Sequence, residues 1–119
     1  MLTTGDGFYM YDVPSVALSA ARRYQAPYLA IIIQNTSYNT GTEEVKRYYP
    51  AGYAGEAGYE GGYLDPAVDF AQEAIAAGAW AKNISDPDCL MPTLQEALQK
   101  TREGIPAVVA IQVPKLLSA

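Results

Sequence analysis

Two short segments decide the fold of this chain: Gly5-Asp6-Gly7 near the start, and Gln34-Asn35-Thr36-Ser37-Tyr38 after an apolar run. The 26 residues between them, 8–33, read as one helix followed by one strand. A helix and a strand of these lengths each span roughly 20 Å, so the chain can return to the edge of the sheet from which it left. We therefore expect the two segments to meet where two neighbouring parallel strands end.

The two segments bring a carboxylate and a carboxamide to that edge. Asp6 follows the first strand and Asn35 follows the second, and both side chains carry hard oxygen donors of the kind that Mg²⁺ takes. In parallel α/β sheets, ligands bind beyond the carboxyl ends of the strands. Mg²⁺ that is held by few protein groups usually coordinates phosphates as well, and Gly5 and Gly7 would let the backbone approach them closely. The sequence thus predicts a magnesium–phosphate site.

Composition limits the classes of function. The 119 residues are enough for one domain, and with 50% apolar and 18% charged residues the chain is typical of a globular protein. A net charge of −5 with eight Lys and Arg argues against nucleic acid as a partner. A lone cysteine, Cys89, fits a reducing compartment, and with no secretory signal or membrane-spanning run in sight we expect a cytoplasmic protein. The chain has no histidine, so imidazole catalysis is absent.

The periodicity of the chain predicts alternating strands and helices. A helix should begin at Asp12 as N-cap, with Pro14 in its first turn and an apolar stripe of Val13, Val16, Ala17, Ala20, Ala21 and Tyr24. The other predicted elements are strands at 1–4, 28–33, 79–84 and 107–113, and helices at 42–47, 65–77 and 88–102. Val68, Ala71 and Ile75 should face inward in the second long helix, and Leu90, Leu94, Ala97 and Leu98 in the third. The predicted fold class is α/β, with an open, mainly parallel sheet and helices on both faces.

Residues 48–65 form a segment rich in tyrosine and glycine, which we predict to be a loop. Segments of this length are either functional lids or mobile surface loops, and both interpretations stay open. The nearby glutamates are candidates for loop charges rather than for catalysis: Glu43, Glu44, Glu56 and Glu60.

Two other phosphate-binding motifs are absent. No Gly-Lys-Ser/Thr occurs, which excludes a Walker loop, and Gly5-Asp6-Gly7 lacks the third glycine of the dinucleotide fingerprint. A receiver-like phosphate-binding domain would need an acidic cluster and a lysine at a strand end. Lys82 alone lies near such a place.

Gly5-Asp6-Gly7, followed at this interval by Gln34-Asn35-x-x-Tyr38, resembles the thiamine diphosphate signature of the acetolactate synthase and pyruvate decarboxylase superfamily. The similarity continues through 17–33, 65–81 and 106–113. The resemblance implies Mg²⁺ ligands at Asp6, Asn35 and the carbonyl of Ser37. It also implies cofactor contacts at Gly5, Gly7, Phe8 and Tyr38.

The chain departs from that family pattern in two ways. Gln34 replaces the first asparagine of the signature, which is not a metal ligand in the family, and Phe8 stands where a small residue is usual. The family's diphosphate-binding domain also begins well before Gly-Asp-Gly, and a separate pyrimidine-binding domain supplies the activating glutamate. Residues 1–119 therefore resemble a partial thiamine diphosphate-binding domain that carries no catalytic residue of its own.

The function implied by the resemblance is binding of thiamine diphosphate and Mg²⁺ within an acetolactate synthase-like enzyme. Such an enzyme decarboxylates or joins 2-oxo acids, as a lyase or transferase, and this chain alone should be inactive. The expected partners are a pyrimidine-binding subunit or further copies of the chain in a homo-oligomer, with the 2-oxo acid bound through the partner domain. The alternative is a non-catalytic remnant of the same fold that binds protein.

Overall fold

The computed structural model describes residues 1–115, which form a four-stranded sheet with helices packed on it. In chain order the elements are β1 (Leu2–Gly5), α1 (Asp6–Tyr11), α2 (Pro14–Arg23), β2 (Leu29–Gln34), α3 (Asn39–Tyr48), α4 (Tyr53–Glu56), α5 (Phe70–Ala76), β3 (Trp80–Ile84), a 3₁₀ turn (Pro87–Cys89), α6 (Leu90–Arg102) and β4 (Ala107–Gln112). The last four residues of the predicted domain, 116–119, lie outside the described residues.

The sheet is open and its strands are ordered β1-β2-β4-β3, with every neighbouring pair parallel. In the register, Thr3 lies opposite Ile31, and Ile31 lies opposite Val109. Because all four strands run the same way, their carboxyl ends share one edge, and the loops that follow them gather there. The predicted open parallel sheet is confirmed, whereas its spatial strand order was not predicted.

Helices cover both faces of the sheet, as predicted. On one face, Tyr9 of α1, Leu18 of α2 and Phe70 of α5 pack against the small and aliphatic side chains of β2 and β4. On the other face, Ala97 and its neighbours on α6 cover β2, β3 and β4. The central strands are therefore buried on both sides, which explains why β2 and β4 are almost continuous apolar runs.

The prediction of a single helix between the two segments is wrong, because the structure has two helices there, α1 and α2. Val13 adopts a left-handed backbone with φ 48°, and Pro14 opens α2 as its first residue. The ring of proline disfavours a helical conformation in the preceding residue, so the helix that begins at Asp6 stops before it. Asp12 therefore ends α1, and the predicted N-cap role belongs instead to Val13.

The predicted apolar stripe on this helix is confirmed for Ala21 and wrong for most of its other members. The buried side of α2 consists of Pro14, Leu18 and Ala21, whereas Val16 is 64% exposed. Most of the predicted stripe faces solvent: Val13, Val16, Ala17 and Tyr24. The start of the helix one residue later than predicted, together with the left-handed Val13, turns a different set of side chains towards the sheet.

Two further helix boundaries, and two residues predicted to face inward, differ from the predictions. The helix predicted at 65–77 begins only at Phe70, because the side chain of Asp69 accepts a hydrogen bond from the Gln72 amide and caps it there. Ile75 of this helix is exposed rather than inward. The helix predicted at 88–102 starts as a 3₁₀ turn before α6, and Leu98 of its predicted inner face is exposed as well.

The tyrosine- and glycine-rich segment is partly helical. Residues 39–61, which we call the flap, contain α3 and the short α4, so the predicted helix at 42–47 is confirmed and the predicted loop at 48–65 is interrupted by a helical turn. An antiparallel bridge between Ser37 and Tyr63 closes the two ends of the flap. We call the two paired stretches, 36–38 and 62–64, the neck.

Candidate functional site

The ends of β1 and β2 lie side by side, with Gly5 opposite Ile33 in the register. Helix α1 starts at the next residue, Asp6, and the second segment leaves β2 through Gln34. The structure therefore brings the two segments of the predicted site together at the carboxyl edge of the sheet. It is α1 that begins at this site, whereas α2 does not line it.

The Asp6 carboxylate joins the two segments. Its Oδ1 accepts a hydrogen bond from the Gly7 amide at 2.9 Å, and its Oδ2 accepts one from the Thr36 amide at 2.6 Å. The residue is only 3% exposed, and no Lys or Arg among residues 1–115 forms an ion pair with it. Buried charges in proteins are normally paired or bound to a metal. Two amide donors leave about half of the lone-pair positions of a carboxylate free, so Asp6 can still accept a cation.

Asn35 folds its side chain back onto the backbone two residues later. The Asn35 Oδ1 accepts hydrogen bonds from the amide of Ser37 at 3.0 Å and from its hydroxyl at 3.2 Å. Thr36 between them has φ 55°, a left-handed conformation that turns the chain sharply. The side-chain oxygen of Asn35 is thereby held beside the backbone of Ser37.

The carbonyl of Ser37 is free for a ligand. In the neck, the hydrogen bonds run from the Tyr38 amide to the Gly62 carbonyl and from the Leu64 amide to the Thr36 carbonyl, both at 2.9 Å. Ser37 and Tyr63 are therefore a non-hydrogen-bonded pair, whose own N–H and C=O groups point away from the partner strand. The Ser37 N–H meets Asn35, and within residues 1–115 the Ser37 carbonyl accepts no hydrogen bond.

A cavity of about 800 Å³ opens beside these groups. It lies between the start of α1 and the flap, and Asp6 and Glu60 are the two charged residues in its wall. The lining residues are Gly5, Asp6, Gly7, Phe8, Tyr11, Ile33, Asn35, Ser37, Tyr38, Asn39, Thr40, Gly41, Thr42, Val45, Ala54, Tyr59, Glu60, Gly61 and Gly62. Since no Lys or Arg is among them, an anionic ligand in this cavity would need a cation to bind with it.

Three aromatic rings shape the entrance. The Tyr38 ring lies against Gly7, where a Cβ would be 2.5 Å from Tyr38 Cε1, and it faces Tyr11 with the ring centroids 6.1 Å apart. Burial, and then the neighbouring Tyr11, raise the pKa of the Tyr38 phenol. Gly7 was expected to leave room for a phosphate, but a ring from the neck occupies that side of it. Phe8 projects outward and is 77% exposed, so its bulk does not fill the cavity.

The side chain of Gln34 has a structural role that the sequence did not reveal. It is buried, and its Nε2 donates to the carbonyl of Val68 at 2.8 Å, whereas no donor within residues 1–115 reaches its Oε1. This contact ties the end of β2 to the segment that follows the neck. Gln34 is not among the residues that line the cavity.

Sequence reasoning missed several groups of the site. The Thr36 amide that fixes Asp6, the ring of Tyr11 and the α3 residues in the cavity wall were not predicted, whereas a lid at 48–65 was one of the two open interpretations. The spacing of Asp6 and Asn35 could not reveal them, because they depend on how the flap folds back. The glutamates predicted as loop charges divide, since Glu60 lines the cavity and Glu43 pairs with Lys46 on α3.

Comparisons with known proteins agree with this architecture. Residues 1–111 match the model of the family described as thiamine pyrophosphate enzyme, C-terminal TPP binding domain. Among solved structures, the Rhodococcus jostii RHA1 thiamine diphosphate-dependent 4-hydroxybenzoylformate decarboxylase matches with a TM-score of 0.71 and 19% sequence identity. The match covers 95% of this chain and 19% of that chain, so this chain spans about a fifth of its relative. A search of the curated proteins finds no match.

No helix within the described residues has the length and the apolar character needed to cross a membrane. The parallel sheet, the Asp6 and Asn35 pair at its edge and the match over 111 residues all lead to one assignment. The chain belongs to the family of C-terminal TPP-binding domains of thiamine pyrophosphate enzymes.

Proposed function

We propose that this chain anchors the diphosphate of thiamine diphosphate through an Mg²⁺ ion held by Asp6, Asn35 and the carbonyl of Ser37. The observation that carries the proposal is the convergence of three oxygen donors at one edge of the sheet. One is a buried carboxylate without a positively charged partner, and one is a carbonyl that accepts no hydrogen bond within residues 1–115. A carboxylate, an amide oxygen and a backbone carbonyl are ligands that Mg²⁺ accepts, and they leave coordination positions for phosphate oxygens.

The charges in the cavity wall support the proposal that diphosphate binding depends strictly on Mg²⁺. A diphosphate carries several negative charges, and the cavity wall offers Asp6 and Glu60 but no cationic side chain. Without Mg²⁺, the diphosphate would lie beside the buried carboxylate of Asp6, which carries the same sign of charge, and no cationic side chain in the wall would attract it. Mg²⁺, held by Asp6, Asn35 and the Ser37 carbonyl, would supply the positive charge that the wall lacks. The Gly7 backbone and the ring of Tyr38 would contact the diphosphate, and Gly5 and Phe8 would line its approach.

The reaction is proposed by extension from the family. Thiamine diphosphate, when bound, supplies the electron sink for loss of carbon dioxide from a 2-oxo acid or for joining two such molecules. The residues of this chain would hold and orient the cofactor, and the flap would keep water away from it. We propose an acetolactate synthase-like lyase or transferase in the cytoplasm, assembled with a pyrimidine-binding subunit or with further copies. We propose that this chain alone is inactive, because its cavity residues would anchor the diphosphate, while the activating glutamate of the family it resembles comes from a separate pyrimidine-binding domain.

Calorimetry tests the proposal directly. The chain is titrated with thiamine diphosphate in the presence of Mg²⁺ and again in EDTA, and then with Asp6→Ala in place of the natural chain. We expect binding with Mg²⁺, none in EDTA, and a loss of at least about 100-fold in affinity for Asp6→Ala. Asp86→Ala is the matched control, since Asp86 also accepts a backbone amide just after a strand but faces away from the cavity.

Two outcomes would contradict the proposal. Metal-independent binding would show that some group other than the buried carboxylate compensates the diphosphate. A folded chain that binds no cofactor at all would favour the alternative, a non-catalytic module of the same fold that binds protein. The exposed rings of Phe8, Tyr11 and Tyr53 are the surface such a module would use.

A further inference from the structure

The neck of the flap is joined to the end of the chain. After β4, the Val113 amide donates to the carbonyl of Gln34 at 3.0 Å, so the chain continues alongside the end of β2. Two residues later, the Nζ of Lys115 forms an ion pair with the carboxylate of Asp65. The same Nζ lies 5.4 Å from the centroid of the Tyr63 ring. One cation thus contacts both the neck strand and the residue just beyond it.

The position of the Ser37 carbonyl depends on this neck. Ser37 bonds to Asn35 on its own side of the neck and has no ladder hydrogen bond of its own to Tyr63, so its placement against the other strand of the neck rests on the two flanking bonds. Two backbone hydrogen bonds make a weak closure for a flap of 23 residues. Lys115 adds a third connection from a different part of the chain, on the side of Tyr63.

We propose that Lys115 is a positioning residue for the metal site, and that it acts by holding the neck closed so that the Ser37 carbonyl faces the same point as Asp6 and Asn35. This proposal rests on the function proposed above. Lys115 does not line the cavity, and it would not touch the metal or the cofactor. Its contacts are with Tyr63 and Asp65, and its effect on the metal passes through the paired residue Ser37.

The chain offers a closely matched control. Lys82 on β3 forms an ion pair with Glu96 and lies 5.4 Å from the centroid of the Trp80 ring, so it makes the same two kinds of contact. Both lysines are partly exposed, and their contacts should add similar amounts to stability. The difference is location, since Lys82 lies on the edge strand farthest from β1.

The experiment measures Mg²⁺ affinity at saturating thiamine diphosphate for the natural chain, Lys115→Ala, Lys115→Arg and Lys82→Ala. When the neck opens, the apparent Kd rises by the inverse of the closed fraction. For one lost ion pair and one lost cation–π contact, we expect Lys115→Ala to raise the Kd for Mg²⁺ about three- to tenfold. Lys115→Arg should restore most of the affinity, and Lys82→Ala should leave it within about twofold of the natural value.

A second measurement needs neither metal nor cofactor. Hydrogen exchange of the Tyr38 and Leu64 amides, which donate the two neck bonds, reports how often the neck opens. We expect Lys115→Ala to speed the exchange of these two amides by a similar factor and to leave the amides of β4 unchanged. Lys82→Ala should affect neither.

The outcomes separate the two proposals. If the natural chain shows no metal-dependent binding, the proposed function fails, while the exchange rates still report on the neck. If the natural chain binds but Lys115→Ala has unchanged Mg²⁺ affinity and unchanged exchange, the positioning role is overturned. Faster exchange with unchanged affinity would overturn it too, since the neck would then open without moving the Ser37 carbonyl away from the metal.

Discussion

The carboxyl edge of the sheet carries polar groups at two places. At one place acceptor positions stay free, and at the other the polar side chains bond to the protein itself. Beyond β1 and β2, Asp6 keeps free acceptor positions and the carbonyl of Ser37 accepts no hydrogen bond within residues 1–115. Beyond β3, a second cavity of about 280 Å³ is lined by Lys82, Asn83 and their neighbours. Both places follow the rule that ligands gather at the carboxyl ends of parallel strands.

The polar groups at the β3 end are occupied by the protein itself. The Nδ2 of Asn83 donates to the Oδ1 of Asp69 at 2.7 Å, and the Oδ1 of Asn83 accepts from the Ala71 amide at 3.3 Å. Lys82 is paired with Glu96. Polar residues at a strand end therefore do not by themselves make a site. What distinguishes the Asp6 end is a buried carboxylate that forms no ion pair within residues 1–115, and a carbonyl that accepts no hydrogen bond there.

The largest expected difference is in Mg²⁺ affinity, between the single variants Asn35→Ala and Asn83→Ala. Asn35→Ala removes a proposed ligand and two hydrogen bonds to Ser37, and Asn83→Ala removes two bonds that hold the start of α5. Each should lower the free energy of unfolding by about 1 kcal/mol. The Mg²⁺ affinity at saturating thiamine diphosphate should fall about 100-fold for Asn35→Ala and stay within about twofold for Asn83→Ala. Calorimetry and thermal melts measure the two quantities separately.

Equal losses of Mg²⁺ affinity in both variants would contradict this difference between the two places, since the β3 end would then contribute to binding. If instead Asn35→Ala keeps its affinity, the bends at Thr36 and Ser37 serve only the fold. Asn35→Asp provides a further control because it keeps the oxygen that accepts from Ser37.

A smaller effect is expected from adding one methyl group at the start of α1. In Gly7→Ala, the new Cβ would meet the Tyr38 ring at 2.5 Å, so the ring must move away from Tyr11. The gain in helix propensity and the cost of moving the ring are each about 1 kcal/mol, so stability should change little. Thiamine diphosphate affinity should fall about tenfold, because Tyr38 no longer lies where the diphosphate is expected.

Gly5→Ala is the control for this variant, since a Cβ at that position has nothing within 4 Å. It should leave the Tyr38 ring in place, and because Gly5 itself lines the cavity, its affinity should fall by less than that of Gly7→Ala rather than stay unchanged. Titration of the tyrosines by absorbance provides an independent measurement, because displacing the Tyr38 ring should lower its raised pKa towards the ordinary tyrosine value. Natural affinity together with a shifted ring would mean that Tyr38 takes no part in binding.

Much of the fold could be predicted from the sequence because apolar runs and turn residues act locally. The four strands, the left-handed Gly78 after α5 and the parallel order follow from the runs that end at glycine or proline. The short helix α1 was missed because six residues with a glycine among them carry little helical pattern, whereas the start of α2 was predicted to within one residue. The buried face of α2 was missed in part because Pro14, Leu18 and Ala21 form a second stripe at helical spacing.

For the site, the sequence predicted which residues lie at the same edge of the sheet, but not the contacts that these residues make. The sequence spacing of Asp6 and Asn35 placed both on one edge, and the structure confirms that they are brought together. The Thr36 amide on Asp6 and the free carbonyl of Ser37 depend on a bridge to Tyr63, which is 26 positions further along the chain. Contacts of that range are set by how the flap folds back, which no local pattern encodes.

The smallest effect is expected at the aspartate that caps α5. Asp69 accepts from the Gln72 amide and from Asn83, and these hydrogen bonds lower the pKa of its carboxyl group in the folded chain. Because the folded pKa lies below the unfolded value, the stabilisation is present above the ordinary carboxyl range near pH 3.8 and is lost as the pH falls through the folded pKa. Asp69→Ala should therefore lower the Tm by roughly a few degrees at pH 7.

The same variant should match the natural chain more closely as the pH falls below 3.8, because the natural chain then loses the same contribution. Mg²⁺-dependent binding of thiamine diphosphate at pH 7 should be unchanged, since Asp69 does not line the larger cavity. A Tm difference that stays constant across this pH range would show that packing, rather than the charged cap, carries the effect. A loss of binding in Asp69→Ala would show that the β3 end of the sheet also contributes to the cofactor site. The contrast between Asp69, which stabilises the fold, and Asp6, which is left for a cation, would then not hold.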